Sequence, residues 1–242
     1  MRGIAVSLLA MGMLAAAGPA AASSISVAPI RVELSSGKRT AVLTVRNQDD
    51  SPVVVQAQPT AWTQRDGEDQ LDDTHDLVVT PPIFTVPGKG SQVLRVALLR
   101  EADPARELDY RLVLSEVPSS VAPDKTGLRV ALRITLPVFV AAQAHTAADV
   151  AWTHKWLADG TLEIAAQNRG TAHVQIQGFD VQGAGGNEAG KVHADAPHYL
   201  LPGTAARWQL HPDGALSHDA QLVIQGHSDA GDFTVTSAPG NP

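Results

Sequence analysis

The chain contains no cysteine among its 242 residues. Its fold therefore depends on no disulfide, and neither a thiol nucleophile nor cysteine-ligated zinc is available to it. Cationic residues are also in the minority, with 18 lysines and arginines against 25 aspartates and glutamates and a net charge of −7. A chain with this charge is a poor general ligand for nucleic acid or for an anionic membrane surface.

The motifs of common enzymes and metal sites are missing as well. No serine lies in Gly-x-Ser-x-Gly, no phosphate-binding loop is present, and the nine histidines form neither His-Glu-x-x-His nor His-x-His. The acidic segment 65–76 lacks the spacing of an EF-hand loop and is predicted to form a solvated hairpin. We therefore expect surface histidines, no catalytic residue, no metal site and no cofactor.

One apolar run stands at the start of the chain, and no later stretch is long and apolar enough to cross a membrane. The run covers residues 4–17, follows Met1-Arg2, and precedes a series of small residues up to Ala22. A charged start, a short apolar core and small residues are typical of a secretory signal peptide. We predict a signal peptide over residues 1–22 and no stable membrane insertion of the mature protein.

A helical period of 3.6 residues persists nowhere, and short alternating segments between turn residues take its place. Seven strands are predicted in the first part of the chain: Ser26–Leu34, Thr40–Asn47, Val53–Trp62, Leu77–Phe84, Ser91–Leu99, Tyr110–Glu116 and Leu128–Val140. This number and spacing favour an immunoglobulin-like sandwich.

Residues 141–148 have no strand pattern and are predicted to be a linker. Seven further strands are predicted after it: Val150–Leu157, Thr161–Asn168, His173–Val181, Lys191–Leu201, Ala205–Leu210, Gln221–Gly226 and Phe233–Thr236. The tail from Ser237 is expected to fray. The sequence thus predicts an all-β protein of two tandem immunoglobulin-like β-sandwich domains, over residues 23–140 and 149–242.

The last predicted strand of the first domain is unusually long. Its even positions from 128 to 140 are all aliphatic, so thirteen residues alternate without a break. At about 3.3 Å per residue, such a strand extends for roughly 43 Å, well beyond the usual length. A strand that overruns its sheet offers a free edge to another chain. Our leading hypothesis from the residues is therefore a protein that donates a strand to a partner.

Charged residues beside predicted strands are the remaining candidates for a site. Arg31 alternates with the aliphatic residues Ile30, Val32 and Leu34, which share the other face of their strand. It is either an ordinary solvent-exposed or cross-strand cation, or a group that grips a carboxylate through two parallel hydrogen bonds. Arg106-Glu107 precedes the Tyr110 strand and is expected to form local ion pairs.

The chain resembles the periplasmic pilus chaperones of the PapD-like, chaperone–usher kind. The resemblance over residues 25–140 rests on Ala28-Pro29-Ile30-Arg31-Val32, Pro81-Pro82-Ile83-Phe84-Thr85-Val86-Pro87-Gly88, Arg106-Glu107, Tyr110-Arg111, Glu116-Val117-Pro118 and Leu128-Arg129-Val130-Ala131-Leu132-Arg133. In the second half, Leu162–Asn168, His173–Val181 and Leu200-Leu201-Pro202-Gly203 are similar to the family's second domain.

The resemblance implies two domains set at an angle in an L shape, and a chaperone located in the periplasm. It implies that Leu128, Val130 and Leu132 enter the groove of an incomplete pilin subunit, with Ile134 as an extension of the row, and that Arg31 holds the subunit's C-terminal carboxylate. An outer-membrane usher then receives the complex. Whether the free chaperone covers this strand edge by self-association stays open.

Two departures from the family pattern accompany the resemblance. Pro137 stands where the best-known members carry a lysine that joins the arginine, and Ala141-Ala142 stand where an arginine follows. They predict a divergent branch with a different subunit anchor, and they put the family's interdomain ion pair in doubt. Two alternatives stay open: an adhesive or structural immunoglobulin-like surface protein, and an enzyme or metal-binding module on a sandwich scaffold.

Overall fold

The computed structural model describes residues 25–118, 131–184, 191–212, 216, 218 and 221–239. Every regular element in these ranges is a β-strand, which confirms the predicted all-β class. Within the same ranges, no helix has the length and hydropathy needed to cross a bilayer.

The first sandwich consists of two antiparallel-rich sheets. One sheet has the strand order β1-β3-β8-β6, and the other has the order β2-β10-β9-β4-β5, with β7 paired to β4. The strands are β1 Ile25–Ala28, β2 Val32–Leu34, β3 Thr40–Asn47, β4 Val53–Arg65, β5 Glu68–Asp73, β6 Leu77–Thr80, β7 Ile83–Val86, β8 Ser91–Leu98, β9 Leu108–Glu116 and β10 Arg133–Val140.

Alternation explains how these strands build a core between the two sheets. In β8, Leu94, Val96 and Leu98 are buried, while the residues between them face outward. Leu136 and Val138 of β10 are buried in the same core from the opposite sheet. Burying each such side chain contributes about 1.5–3 kcal/mol. The pattern that predicts the strands therefore also identifies the residues that hold the two sheets together.

Two predicted strands are each divided by a proline. The segment 26–34 forms β1 and β2, which belong to different sheets, and the peptide bond between Ala28 and Pro29 is cis. Ile30 lies in the link and is 76% exposed, so the prediction that it shares a face with Val32 and Leu34 is wrong. The segment 77–84 is divided in the same way into β6 and β7, because Pro81 has no N–H for a sheet ladder.

The second sandwich follows the strandless segment 141–149. Its sheets have the orders β15-β12-β11-β18 and β14-β13-β16-β17. The strands are β11 Val150–Trp156, β12 Leu162–Asn168, β13 Val174–Gly183, β14 Val192–Leu200, β15 Ala205–Leu210, β16 Leu222–Ser228, β17 Gly231–Thr236 and β18 Ala238–Pro239. Leu162, Ile164 and Phe179 are among its fully buried core residues.

Candidate functional site: an open strand edge and the junction between the sandwiches

Strand β10 pairs with β9 along its whole length. Its opposite edge is paired with another strand over only part of that length. Leu132 and Glu116 are opposite each other, and the N–H of Glu116 donates to the carbonyl of Leu132 over 2.9 Å. In an antiparallel ladder the next residue points its backbone groups the other way. The N–H and C=O groups of Arg133 and Thr135, and the C=O of Pro137, therefore face away from β9.

The same side of β10 is occupied further along by β2. The two strands are parallel, with Val138 opposite Val32, and the N–H of Ala141 donates to the carbonyl of Leu34 over 2.9 Å. Within the described ranges, no strand pairs with this side of β10 before Val138. This register brings the N–H of Val32 to the carbonyl of Pro137, so we call the side of β10 along residues 133–135 the open edge.

Of the four aliphatic residues predicted to bind a subunit, the structure describes two. Leu128 and Val130 are outside the described residues. Leu132 and Ile134 are half-buried, and Ile134 packs against the core of the first sandwich. The structure begins β10 at Arg133, so the prediction of a strand starting at Leu128 is too long over residues 131 and 132.

Arg31 lies in the link before β2, at the end of the open edge. Its Nη2 donates to Asp229 Oδ2 at 2.8 Å, to the hydroxyl of Tyr199 at 3.3 Å and to Gln175 Oε1 at 3.4 Å. Burial acts to lower the pKa of Arg31, but the bonds to Tyr199 and Asp229 outweigh it and raise that pKa. The guanidinium thus holds a carboxylate, and this carboxylate belongs to the second sandwich of the same chain.

His173 joins the two sandwiches beside this ion pair. Its Nδ1 lies 2.6 Å from Glu107 Oε1, and its Nε2 lies 3.5 Å from Asp229 Oδ2. The ring stacks on Phe139 of β10, with centroids 3.5 Å apart and an interplanar angle of 6°. Burial acts to lower the pKa of His173, but hydrogen bonds with both carboxylates raise it to about 9. The imidazole is therefore cationic at neutral pH.

These contacts correct two expectations. The prediction of surface histidines is wrong for His173, whose side chain is 12% exposed, and for the buried His154. The expectation of local ion pairs at residues 106 and 107 is also wrong. Glu107 is buried and bonds to His173, and Arg106 donates to the carbonyl of Pro202 at 2.6 Å, so both connect the sandwiches.

Two other carboxyl groups at the junction have shifted pKa values. Burial acts to raise the pKa of Asp229, but bonds from His173, the N–H of Gln175 and Arg31 hold it at about 2. Burial and the neighbouring Glu107 raise the pKa of Asp109. The junction therefore contains a carboxylate that is ionised at neutral pH, Asp229, which faces two cations.

Glu107, Asp109 and His173 also form a set that offers three possible metal ligands within 4.8 Å of one another. The short bond between Glu107 and His173 already uses two of the three ligand atoms. Among the described residues, hydrogen bonding between the sandwiches thus accounts for Glu107 and His173, whereas Asp109 Oδ1 is buried without a hydrogen-bond partner.

Apolar and amide contacts complete the junction. Trp62, Phe139 and Leu201 form a buried cluster with Tyr199 packed against it, and the Arg111 guanidinium lies 3.4 Å from the centre of the Trp62 ring. A separate set of hydrogen bonds centres on one side chain: Gln64 donates to the carbonyl of Tyr199 at 2.8 Å and accepts from the N–H of Leu201 at 3.1 Å and from the hydroxyl of Thr204 at 2.8 Å.

Most of this junction is not marked in the sequence. The sequence pattern singles out Arg31 but gives no role to Asp229, Tyr199 or His173. Asp229 lies in the turn between β16 and β17, 198 positions after Arg31, and no local motif marks it. One local signal was available. Pro29 lies two residues before Arg31, and a proline commonly interrupts a sheet ladder, which indicates that Arg31 lies outside a regular strand.

Comparisons with known proteins agree with this architecture. Residues 24–144, half of the chain, match the family described as "Pili and flagellar-assembly chaperone, PapD N-terminal domain". The "Chaperone protein FimB/FhaD" of Bordetella pertussis (strain Tohama I) is 28% identical over 232 residues, which cover 89% of both chains.

Solved structures show a fold shared across both sandwiches. A chain of the CsuC–CsuE chaperone–tip adhesion subunit pre-assembly complex, from archaic chaperone-usher Csu pili of Acinetobacter baumannii, has a TM-score of 0.66 at 15% identity, over 91% of this chain and 100% of that chain. The structure of the Salmonella enterica SafA pilin with the SafB chaperone gives 0.61 at 16% identity, over 90% and 98%. Since the family match includes Arg31, β2 and β10 with its open edge, the chain belongs to the PapD family of pilus and flagellar assembly chaperones.

Proposed function

We propose that this chaperone acts in the periplasm, binds pilus or fimbrial subunits by donating the strand that ends in β10, and delivers them to an outer-membrane usher. The observation that carries the proposal is the open edge, which leads directly to Arg31. An added strand pairs with such an edge through backbone hydrogen bonds, and its alternate side chains provide specificity.

The position of β2 indicates the direction of the bound strand. β2 is parallel to β10 and begins one residue after Arg31. A subunit strand that continues the line of β2 along residues 133–135, in the same direction, has its C-terminus next to Arg31. The opposite direction would place its carboxylate at the far end, away from this cation. We therefore propose a parallel strand whose last residue reaches Arg31.

Arg31 retains donors for a second carboxylate. Among the described residues, its side-chain hydrogen bonds are made by Nη2 alone. The edge formed by Nε and Nη1 can donate two parallel bonds to a carboxylate. Asp229 holds the other side of the guanidinium, and this fixes the direction of the free edge.

The aliphatic row supplies most of the binding free energy in this proposal. Leu128, Val130 and Leu132 would each contribute about 1.5–3 kcal/mol when buried in a subunit groove. Ile134 is the proposed extension of this aliphatic row, and its side chain packs against the core of the chaperone's first sandwich. Each backbone bond at the open edge adds about 0.5–1.5 kcal/mol. The proposed action needs no catalysed reaction, so we propose that the protein is not an enzyme.

Co-expression with the pilins encoded near this chaperone, followed by purification from the periplasm and sizing, tests the proposal. We expect a one-to-one complex with one of them, which Val130→Asp abolishes. Val42→Asp is the matched control, because Val42 is 50% exposed on β3 of the other sheet. Equal recovery of the pilin with both variants would contradict strand donation, and a protein found at the cell surface without pilins would favour an adhesive function.

A further inference from the structure

The cluster of Glu107, Asp109 and His173 at the junction contains an atom that the hydrogen bonds between the sandwiches leave unexplained. Oδ1 of Asp109 is buried and has no hydrogen-bond partner among the described residues. Such an atom needs a physical explanation, and a bound ion is one of the few that exist. The sequence predicts no metal site here, because His173 follows Glu107 by 66 positions and no local motif joins them.

The two carboxylates of the cluster come from one short stretch of the first sandwich. Glu107 directly precedes β9 and Asp109 lies in it, so their side chains point to the same face of the sheet. Glu107 is also fixed by the second sandwich: its N–H donates to the carbonyl of Thr171 at 3.0 Å, and its Oε1 accepts the N–H of His173 at 2.9 Å. The carboxylates are therefore held in place before any ligand binds, as a precise binding site requires.

His173 contributes a nitrogen from the second sandwich. Its Nδ1 faces Glu107, and the ligand atoms of all three residues lie within 4.8 Å of one another. The other ring nitrogen, Nε2, lies 3.5 Å from Oδ2 of Asp229, and the N–H of Gln175 holds Asp229 in turn. Histidines that bind a metal commonly direct their second N–H to a carboxylate, which fixes the orientation of the ring. Asp229 thus directs Nδ1 of His173 towards the two carboxylates.

We propose that Glu107, Asp109 and His173 bind a divalent cation of the zinc type, which links the first sandwich to the second. One imidazole nitrogen and two carboxylate oxygens suit zinc, balance its charge and leave a fourth position for water. The ion takes the place of the proton between Nδ1 of His173 and Oε1 of Glu107.

The geometry of the cluster needs only a small adjustment to hold this ion. Bonds of about 2.0–2.2 Å place the ligands of a tetrahedral zinc ion roughly 3.3–3.6 Å apart. The contact of 2.6 Å between Glu107 and His173 therefore opens by about 1 Å when the ion replaces the proton.

Two exposed pairs in the second sandwich offer weaker sites and supply the controls. Nδ1 of His193 lies 2.8 Å from Asp180, and Nδ1 of His227 lies 2.6 Å from Asp232. The two histidine side chains are 67% and 71% exposed, and among the described residues neither pair belongs to a set of three close ligand atoms. We therefore expect zinc to prefer the junction to both pairs.

Titration of the full mature chain with zinc chloride tests the proposal. The protein carries no affinity tag, is first freed of metal with EDTA, and is followed by isothermal titration calorimetry. We expect one tightly bound ion per chain, and a thermal midpoint that rises by about 5 °C or more when zinc is in hundredfold excess over its Kd. Asp109→Asn keeps the size of the side chain and should weaken binding at least about tenfold. His193→Gln and His227→Gln should leave the tight site unchanged.

NMR of the histidine ring protons locates the ion in the wild-type protein, so the test does not depend on the folding of a variant. With the first equivalent of zinc, the resonances of His173 should shift, and those of His193 and His227 should not. Thermal unfolding in EDTA checks that Asp109→Asn is folded.

Three results would overturn the proposal. They are the absence of zinc binding by the wild-type protein, unchanged binding by folded Asp109→Asn, and a first equivalent of zinc that shifts His193 or His227 in place of His173. The last result would assign the ion to an exposed pair. None of these measurements involves a pilin, so their failure leaves the proposed strand donation standing.

Discussion

Arg31 and Asp229 form an ion pair of 2.8 Å between the first and the second sandwich. Asp229 is itself held by the N–H of Gln175, which donates to its Oδ1 at 2.7 Å, and it faces His173. A cation held on one side by a fixed carboxylate needs little reordering to bind another on its free side. The contact that joins the two sandwiches therefore also orients the proposed anchor for a subunit carboxylate.

Asp229→Asn should weaken this junction. The amide keeps the size of the side chain but removes the charge that faces Arg31 and His173, so we expect a loss of about 1–3 kcal/mol in the free energy of unfolding. We also expect a lower pKa for His173, measured by NMR of the imidazole protons. Asp232→Asn is the control, because Asp232 is 84% exposed and pairs with the exposed His227. Equal stability of the two variants would show that Asp229 is not a structural contact.

The stability of the protein should fall as the pH rises from about 6.5 to 9. The folded-state pKa of His173 is about 9, above its ordinary value of 6.5, so its contribution is complete below pH 6.5 and is lost as the proton leaves. The raised pKa of Asp109 acts in the same direction, because its ionisation in the folded state becomes costly at higher pH. The rise in the pKa of His173 from 6.5 to about 9 corresponds to roughly 3 kcal/mol.

Urea unfolding at a series of pH values measures this dependence. His173→Gln should reduce the slope between pH 6.5 and 9, and His227→Gln should leave it unchanged, because the side chain of His227 is 71% exposed. A wild-type protein whose stability is constant over this interval would contradict the assignment of a cationic His173. Below about pH 4 the sign reverses, because the contribution of Asp229 is lost as the pH falls from its ordinary pKa of 3.8 through its folded-state pKa of about 2.

Local patterns in the sequence predict most strands, because alternation and turn residues act over a few positions. β3 and β15 have the predicted bounds, and the acidic segment 65–76 contains the turn and the second strand of the β4–β5 hairpin. Prolines mark where these predictions are wrong, as at Pro29 and Pro81. The tail was also mispredicted: Ser237 is buried, and β18 pairs with β11.

The junction could not be predicted in the same way. Its contacts join residues that are far apart in the chain, such as Glu107 with His173 and Arg31 with Asp229. Such pairs depend on how the two sandwiches pack, and no spacing in a single sequence records that packing. The aliphatic row and Arg31 stand out in the sequence because each belongs to a short alternating pattern of residues.

Gln64→Ala should destabilise the junction independently of its charges. The substitution leaves the carbonyl of Tyr199, the N–H of Leu201 and the hydroxyl of Thr204 without the partner they now share, and Gln64 itself is only partly exposed. We expect a loss of about 1–3 kcal/mol in the free energy of unfolding, measured with urea.

Gln58→Ala is the matched control for this prediction. Gln58 lies on the same strand, is exposed, and donates to Asp73 at 3.1 Å within the first sandwich. Its loss should cost less than about 0.5 kcal/mol. If Gln64→Ala is as well tolerated as Gln58→Ala, the amide contacts between the sandwiches contribute little, and the aromatic cluster around Trp62 must hold the junction.

Proline substitutions on β10 should separate folding from strand donation. The N–H of Thr135 faces the open edge and serves no strand among the described residues, so Thr135→Pro should leave the fold intact and weaken recovery of a co-expressed pilin. The N–H of Ile134 faces β9 in the antiparallel ladder, so Ile134→Pro removes an internal bond and should lower the thermal midpoint. Circular dichroism and pilin co-purification measure the two effects. Because the substitutions are at adjacent positions, a Thr135→Pro variant that folds and still recovers the pilin at the wild-type level would mean that the subunit does not pair with this edge of β10.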